Sequence, residues 1–468
     1  MRSKAKGNFR KAGAATAMAC AATALTAADV STDSAASAVA PATSNTNAAA
    51  GISAPVQKQN WNWHVQNTDI VQGYPEFPAQ YTGPNSLPNG GETRETVSLD
   101  LMAGARLWEG AEAHVDGLMW QGYGLGHTIG IEAFPNGEAY RAGTTVPNVN
   151  FARVFIRQTI NLGGDTETVA DDQLHLAGEQ DVSRLTITVG KISLIDIFDN
   201  NTHANDPRTQ FMNWALIANE AWDYPADSLG YETGLALELN QPHWTLRYGF
   251  FQVPKESNGL AQDERYLAAW GMVTELERRY TLNDHPGTIR FLAYLNRANM
   301  GTYQDAINNY AQGGSINIAD TRENRLKYGF GLNWEQEITQ NIGVFSRLGW
   351  ADGHTEAWVY SDVDRTASLG LSVKGGAWHR PDDTYGLAGV VNGITPVHQQ
   401  FFEEGGTGIL VGDGALDYGW EKTLETYYDF KIWKTIHGDI DYQYVTDPAF
   451  NRARGPISIF GARLHWEF

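Results

Sequence analysis

Apolar and polar residues alternate with a period of two along much of the chain, most clearly at residues 456–468. Successive side chains of a β-strand point to opposite faces, so this segment predicts one strand with two different faces. The first face is mainly apolar and aromatic and comprises Ser458, Phe460, Ala462, Leu464, Trp466 and Phe468. The second face becomes charged toward the end and comprises Ile457, Ile459, Gly461, Arg463, His465 and Glu467. A terminal strand of this kind is typical of a bacterial outer-membrane β-barrel, whose wall has lipid outside and water inside.

The same alternation predicts how many strands the chain contains. It recurs near residues 94–107, 111–120, 151–162, 184–191, 230–239, 244–251, 267–276, 288–296, 326–334, 343–350, 367–373, 385–391, 424–433 and 439–445. With the terminal strand these segments number about fifteen, and bacterial barrels close on an even number of strands. We therefore predict an all-β fold, a transmembrane antiparallel β-barrel of about 16 strands.

The longest interruption of the pattern runs from Ile192 to Leu229 and holds aromatic residues among Asp and Asn. A loop of this length inside a compact unit is usually functional. In a barrel we expect it to fold inward and constrict the channel.

The amino-terminal residues predict export and a disordered leader. Residues 1–28 combine a basic start with an uncharged, Ala- and Thr-rich stretch, as a signal peptide does. Residues 29–60 are rich in Ala, Ser, Thr and Asn and lack the apolar residues that a core needs. We assign 61–468 to the barrel, and interpret residues 61–91, with their aromatics and prolines, as an ordered but irregular segment in or under it.

Composition narrows the class of protein. No apolar run of 18 residues follows the amino terminus, which excludes a helical membrane protein. The net charge of −20 argues against nucleic acid as a partner. The single cysteine, Cys20, lies in the predicted signal peptide, so thiol catalysis and disulfides are excluded from the mature chain.

Arginines that alternate with apolar neighbours are the first set of candidate functional residues. Arg153 and Arg157 share one face of a predicted strand, and an apolar face that includes Ala152 lies opposite. Guanidinium groups offer planar forks of donors to the hydroxyls of a solute, and a carboxylate can accept a hydrogen bond from the same solute. The candidates are Arg106, Glu112, Arg153, Arg157, Arg184, Asp196, Arg247 and Arg290. The alternative is an ion-pair network that braces the inner wall.

Aromatic residues of the predicted inward loop form the second set. Trp214 and Trp222, with Phe211 and Tyr224, could stack on the C–H faces of the same solute. The alternative is that these rings pack the loop against the wall. No metal or cofactor site is predicted, because the histidines show no regular ligand spacing.

Several stretches resemble the carbohydrate-selective porin family (OprB type), and the resemblance covers nearly all of residues 61–468. It is carried by FPNGEA, ARVFIRQTINLGG, VGKISLIDIFDNN, NDPRTQFMNWAL, GDG and DYQYVTDPAFNRARGP, which begin at residues 134, 152, 189, 205, 412 and 441. The resemblance implies a 16-stranded outer-membrane channel that passes glucose and other small sugars. The chain departs from the pattern at Gly130-Ile131-Glu132, where the family has a run of small residues.

The resemblance thus implies small sugars and outer-membrane lipid as partners, a monomer or a homotrimer, and location in the outer membrane of a Gram-negative bacterium. Two other classes of protein fit parts of the pattern. An outer-membrane barrel enzyme, such as a lipase or protease, would need a nucleophile with His and carboxylate, and no such motif is found. A soluble periplasmic sugar-binding β protein would share the export signal, the aromatics and the acidity, but not the alternation suited to lipid.

Overall fold

The computed structural model describes residues 58–141 and 143–468. The predicted signal peptide and all but the last three residues of the predicted leader lie outside the described residues. The strands are β1 (Trp61–Tyr74), β2 (Glu92–Trp108), β3 (Ala111–Gly122), β4 (Thr144–Asn161), β5 (Thr166–Val169), β6 (Gly178–Asp181), β7 (Arg184–Ile192), β8 (Glu232–Gln241), β9 (Trp244–Phe251), β10 (Trp270–Leu282), β11 (His285–Met300), β12 (Glu323–Thr339), β13 (Ile342–Ala351), β14 (Arg365–Lys374), β15 (Thr384–Gly393), β16 (Glu421–Trp433), β17 (Ile436–Thr446) and β18 (Ile457–Glu467). The α-helices are α1 (Trp214–Ile217), α2 (Tyr303–Ala311) and α3 (Pro396–Glu403).

Sixteen of the strands form one closed antiparallel barrel, which confirms the predicted fold class. Each barrel strand pairs with its neighbours in sequence, except that β7 follows β4 because β5 and β6 form a separate hairpin. Closure occurs between β1 and β18, where Gln66 pairs with Glu467 and Gly73 with Phe460. No strand edge of the barrel is left at this seam, as a membrane-spanning sheet requires.

The strand missing from the sequence analysis is β1. Residues 61–91 were expected to be irregular throughout, but their first half is the sixteenth wall strand and only 75–91 form a loop. The outward face of β1 carries Asn67 and Asp69, which interrupt its apolar positions. That interruption, followed by a proline-rich loop, concealed the alternation.

Loop length distinguishes the two ends of the barrel. At one end, turns of only two residues join β2 to β3, β8 to β9, β10 to β11, β12 to β13 and β16 to β17. Long loops occupy the other end, at residues 75–91, 123–143, 193–231, 252–269, 301–322, 352–364, 394–420 and 447–456. Short turns are periplasmic and long loops extracellular in outer-membrane barrels. Both the start of β1 and Phe468 lie at the periplasmic end.

The two faces of the wall follow the predicted alternation. Along β16, Leu424 is exposed outward whereas Glu425 is fully buried inside the barrel. An irregularity in the pairing of β3 with β4 changes the expected pattern at one place. There Phe151 faces outward with 64% exposure, and Ala152, which was expected on the apolar face opposite Arg153, is buried at 1% exposure. The extra residue of a bulge shifts the alternation by one position.

The interior is filled by loops rather than left as an open pore. Residues 193–231, which we call the constriction loop, fold inward as predicted and bury Phe198, Phe211 and Leu216 completely. They pack with loops 123–143, 352–364 and 394–420 into the main apolar core. No helix in the described part of the chain is long and apolar enough to cross a bilayer.

Candidate functional site

Inward-facing charged residues of the wall anchor the constriction loop. Arg347 is 1% exposed, and its Nε lies 3.0 Å from Asp199 Oδ2. Its other nitrogens donate to the carbonyl oxygens of Ala204 and Leu216, each at 2.8 Å. Glu425 accepts hydrogen bonds from the backbone N–H groups of Met212 and Asn213 at 2.6 and 3.0 Å. The wall therefore supplies both donor and acceptor side chains that hold the loop across the channel.

A cavity of about 210 Å³ remains between the constriction loop and one sector of the wall. Arg153 of β4 lies in its lining and holds two carboxylates. Its Nε and Nη2 donate to Asp196 at 2.7 and 2.8 Å, and its Nη1 donates to Asp116 at 2.8 Å. This two-pronged pairing fixes the plane of the guanidinium group beside the cavity.

A second arginine of the cavity, Arg208, comes from the constriction loop itself. Its Nη1 lies 3.1 Å from Asp100, and its Nε lies 3.0 Å from Glu138. Burial disfavours the charge, but the two carboxylates outweigh burial and raise the pKa of Arg208 above its ordinary value. The side chain is therefore a permanent cation. Sequence reasoning missed it, although it lies within the family motif that begins at Asn205.

Aromatic rings form a continuous chain of contacts at the cavity. Phe134 and Trp214 are stacked with 5.3 Å between ring centroids, and Trp214 lies 5.2 Å from Tyr360. Tyr360 in turn lies 4.9 Å from Tyr224, which lies 5.2 Å from Trp222. Four of these rings line the cavity, whereas Trp222 does not and is only 2% exposed. The position of Trp222 fits the packing alternative.

Local structure places Trp214 at the start of α1. The Asn213 side chain accepts a hydrogen bond from the Ala215 N–H and so caps this short helix. The Trp214 N–H donates to the Phe134 carbonyl oxygen at 3.1 Å. Two loops are thereby tied together where their rings stack.

The other predicted residues lie away from this cavity. Near the periplasmic end, Arg106 pairs with Glu112 at 3.2 Å, and Arg157 donates to the Leu174 carbonyl oxygen at 2.7 Å. Arg184 pairs with Glu167 at 2.7 Å in the β5–β6 hairpin. None of these four predicted residues lines the cavity.

Arg247 and Arg290 lie in a different sector of the wall, on β9 and β11. Arg247 pairs with Glu275, and Arg290 pairs with Glu335, at 2.7 and 2.9 Å. Both arginines also pair with Glu277. Because Glu275 and Glu335 accept backbone N–H groups of the constriction loop, this network fits the bracing alternative.

Of the ten predicted residues, the structure thus brings three to the cavity: Arg153, Asp196 and Trp214. The cavity residues that sequence reasoning missed include Glu138, Arg208, Tyr231 and Tyr360. Tyr231 carries the Arg153 guanidinium 5.2 Å above its ring. All four lie in the long loops between strands. Strand alternation, on which the sequence prediction relied, says nothing about the positions of loop residues.

A closed 16-stranded barrel with an inward loop and a polar, aromatic constriction defines an outer-membrane porin. Residues 84–468 match the model of a family described as carbohydrate-selective porin, OprB family. The chain belongs to this family of channels, and its place is the outer membrane of a Gram-negative bacterium.

The fold is similar to that of one solved porin, and a second solved channel is a more distant match. A high-pH structure of Pseudomonas putida OprB is 17% identical, with 87% of this chain and 94% of that chain covered and a TM-score of 0.67. The outer-membrane channel DcaP of Acinetobacter baumannii is 8% identical, with 89% and 100% covered and a TM-score of 0.47. An uncharacterized protein of Aquifex aeolicus is 30% identical over 95 residues, and that match spans 20% of this chain and 28% of the relative.

Proposed function

We propose that this porin passes small neutral sugars such as glucose down their concentration gradient, with no chemical step. The observation that carries the proposal is the lining of the cavity, where the fixed Arg153–Asp196 pair faces the rings of Trp214 and Tyr360. Charged forks exchange hydrogen bonds with hydroxyls, and rings cover the C–H faces of a pyranose. A channel must bind its solute only weakly, because tight binding would slow its exit.

Outer-membrane lipid is the proposed second partner, and the outward aromatics support it. Exposed aromatic residues gather at the periplasmic ends of the strands, as in the girdles that mark a membrane interface. They include Trp61, Trp63, Trp108, Trp433 and Phe468.

The proposal is tested by current through single channels in planar bilayers, with glucose added. We expect glucose to reduce the current of the unmodified protein. Arg153→Lys keeps the positive charge but loses the planar fork. The glucose concentration that halves the current should rise about threefold to tenfold, the equivalent of one hydrogen bond.

Arg247→Lys is the matched control, because Arg247 is a similarly paired wall arginine outside the cavity. It should leave the glucose effect unchanged. The proposal fails if glucose does not affect the unmodified channel. The assignment of Arg153 fails if both variants respond to glucose as the unmodified channel does.

A further inference from the structure

The connection between β4 and β7, residues 162–183, is long although it lies at the periplasmic end, where most links have two residues. We call it the periplasmic loop. It contains the β5–β6 hairpin and, between these strands, a segment of seven residues, 171–177, which we call the inner segment. Leu176 in this segment is 1% exposed, and Leu174 packs against the main apolar core of the barrel. The segment therefore enters the periplasmic mouth instead of projecting from it.

The residues before and at the start of β1 hold the inner segment in place. The Asn62 side-chain amide lies within 3.0 Å of Asp171 Oδ1 and of the carbonyl oxygens of Asp172 and His175. Gln59 donates from its backbone N–H to the Ala177 carbonyl oxygen at 3.0 Å, and its side-chain oxygen accepts from the Ala177 N–H at 2.8 Å.

Further contacts tie the segment to the wall. Gln173 Nε2 donates to Gln66 at 2.8 Å and to Glu467 at 3.2 Å, across the seam between β1 and β18. Arg157 donates to the Leu174 carbonyl oxygen at 2.7 Å. So many directed contacts give the segment one defined position.

The inner segment also reaches the functional cavity. Gln173 and Leu174 line it together with Arg153 and Asp196. We propose that these two residues form the exit constriction of the channel and set the size of the sugar that leaves toward the periplasm. This proposal rests on the proposed sugar transport and adds a specificity-determining element that neither the wall nor the constriction loop supplies.

The chemistry of the two side chains suits this role. The Gln173 amide is oriented by its donors to the wall, and its carbonyl oxygen can accept a hydrogen bond from a sugar hydroxyl. The Leu174 side chain can contact the C–H groups of a sugar but cannot form a hydrogen bond with its hydroxyls. Arg157 is then a positioning residue, because it fixes the backbone of Leu174 without lining the cavity.

The first test measures swelling of liposomes that contain the full mature chain, in a monosaccharide, a disaccharide and a trisaccharide. The double variant Gln173→Ala, Leu174→Ala should raise the rate for the disaccharide relative to the monosaccharide at least about threefold, because the shorter side chains widen the exit and lower the steric barrier to the larger sugar. Gln180→Ala is the matched control, because its amide bonds Glu167 within the same loop outside the cavity.

The double variant must be shown to be folded, which a change of its mobility on a gel after heating would establish. If such a folded variant has an unchanged ratio of the disaccharide rate to the monosaccharide rate, the proposed exit constriction is wrong. If the unmodified protein passes no monosaccharide at all, the proposed function fails instead. The two failures are therefore distinguishable.

The second test narrows the exit instead of widening it. Because the blocking group is added after the protein has folded, the test depends less on how well a variant folds. Cys20 is the only cysteine of the sequence, so a chain that starts after the predicted signal peptide carries a single thiol in the variant Leu174→Cys. A bulky thiol reagent added to the folded protein should reduce the monosaccharide rate at least about threefold, as an obstructed exit requires. Gln180→Cys, labelled in the same way, should keep its rate. Equal rates in the two labelled proteins would refute the proposal.

Discussion

At the residue scale, alternation along a strand identifies an inward arginine but not its task. Arg153, Arg247 and Arg347 each have at least one apolar neighbour in sequence, and all face inward. The structure separates them by their partners, since Arg153 meets the cavity, Arg247 joins a wall network and Arg347 holds the constriction loop. Partners from distant loops cannot be deduced from strand spacing.

Arg347 anchors the constriction loop from the wall, and its removal has a testable consequence. In Arg347→Ala, Asp199 and two loop carbonyl oxygens lose their buried partner. Breaking a buried ion pair from one side costs about 3–5 kcal/mol. We expect a lower free energy of unfolding in a urea titration, a larger single-channel current and easier proteolysis of the constriction loop.

The control for Arg347 is Arg452→Ala, which removes an ion pair with Asp417 that is exposed on both sides. Exposed pairs contribute only about 0–1 kcal/mol, so this variant should behave almost like the unmodified protein. An Arg347→Ala protein with unchanged current would show that the loop does not depend on this anchor.

At the element scale, the sequence predicted fifteen of the sixteen wall strands, because lipid outside and water inside impose a period of two on each. It also located the constriction loop, since a long interruption between strands must be a loop. β1 was missed because Asn67 and Asp69 interrupt its outward face. The interior arrangement of the loops could not be predicted, because their contacts join residues far apart in sequence.

Buried carboxyl groups in the constriction loop and beside it should make the stability of this region depend on pH. Glu220 is 1% exposed, and neither of its carboxylate oxygens has a hydrogen-bond partner among the described residues. Burial, followed by the nearby Glu421, raises the pKa of Glu220 well above its ordinary value. Glu132, at the position where the sequence departs from the family pattern, has its pKa raised by burial and then by Asp362, Glu220 and Glu421.

The sign of the pH effect follows from the raised pKa of Glu220. In the unfolded chain Glu220 loses its proton above about pH 4.3, whereas in the folded protein it keeps it to higher pH. The folded state then binds more protons, so stability falls as pH rises above that value. After correction for the intrinsic, base-catalysed exchange rate, we expect the amides of the constriction loop to be less protected from exchange at pH 9 than at pH 5.

The variant Glu220→Gln should reduce this pH dependence, because an amide neither gains nor loses the proton. Glu264→Gln, which changes an exposed carboxylate in loop 252–269, should leave the dependence as it is. If Glu220→Gln and the unmodified protein show the same pH dependence of exchange, Glu220 is not the group responsible.

At the scale of the whole molecule, two opposite requirements meet in one sheet. The outward face must be apolar across the bilayer, while the inward face carries the charges that hold loops in the lumen. Along β2, Leu101 is 59% exposed outward, whereas its neighbour Asp100 is fully buried inside. Two requirements therefore determine the register of each strand: contact with lipid on the outward face and contact with the loops on the inward face. A shift of one residue would move apolar side chains inward and charged side chains into lipid.

The lipid requirement makes the cost of a charge depend on depth. Leu101→Arg puts a charge near the middle of β2 on its outward face, where arginine costs about 2–4 kcal/mol, whereas at the interface the cost falls to about 0–1 kcal/mol. Leu107→Arg is the matched control, because Leu107 also faces outward but lies beside Trp108 at the periplasmic end of the same strand. We expect urea titrations of protein folded into vesicles to show the larger loss of stability for Leu101→Arg. Equal losses would mean that protein, not hydrocarbon, covers Leu101, which is the outcome that an interface between subunits on this face would produce.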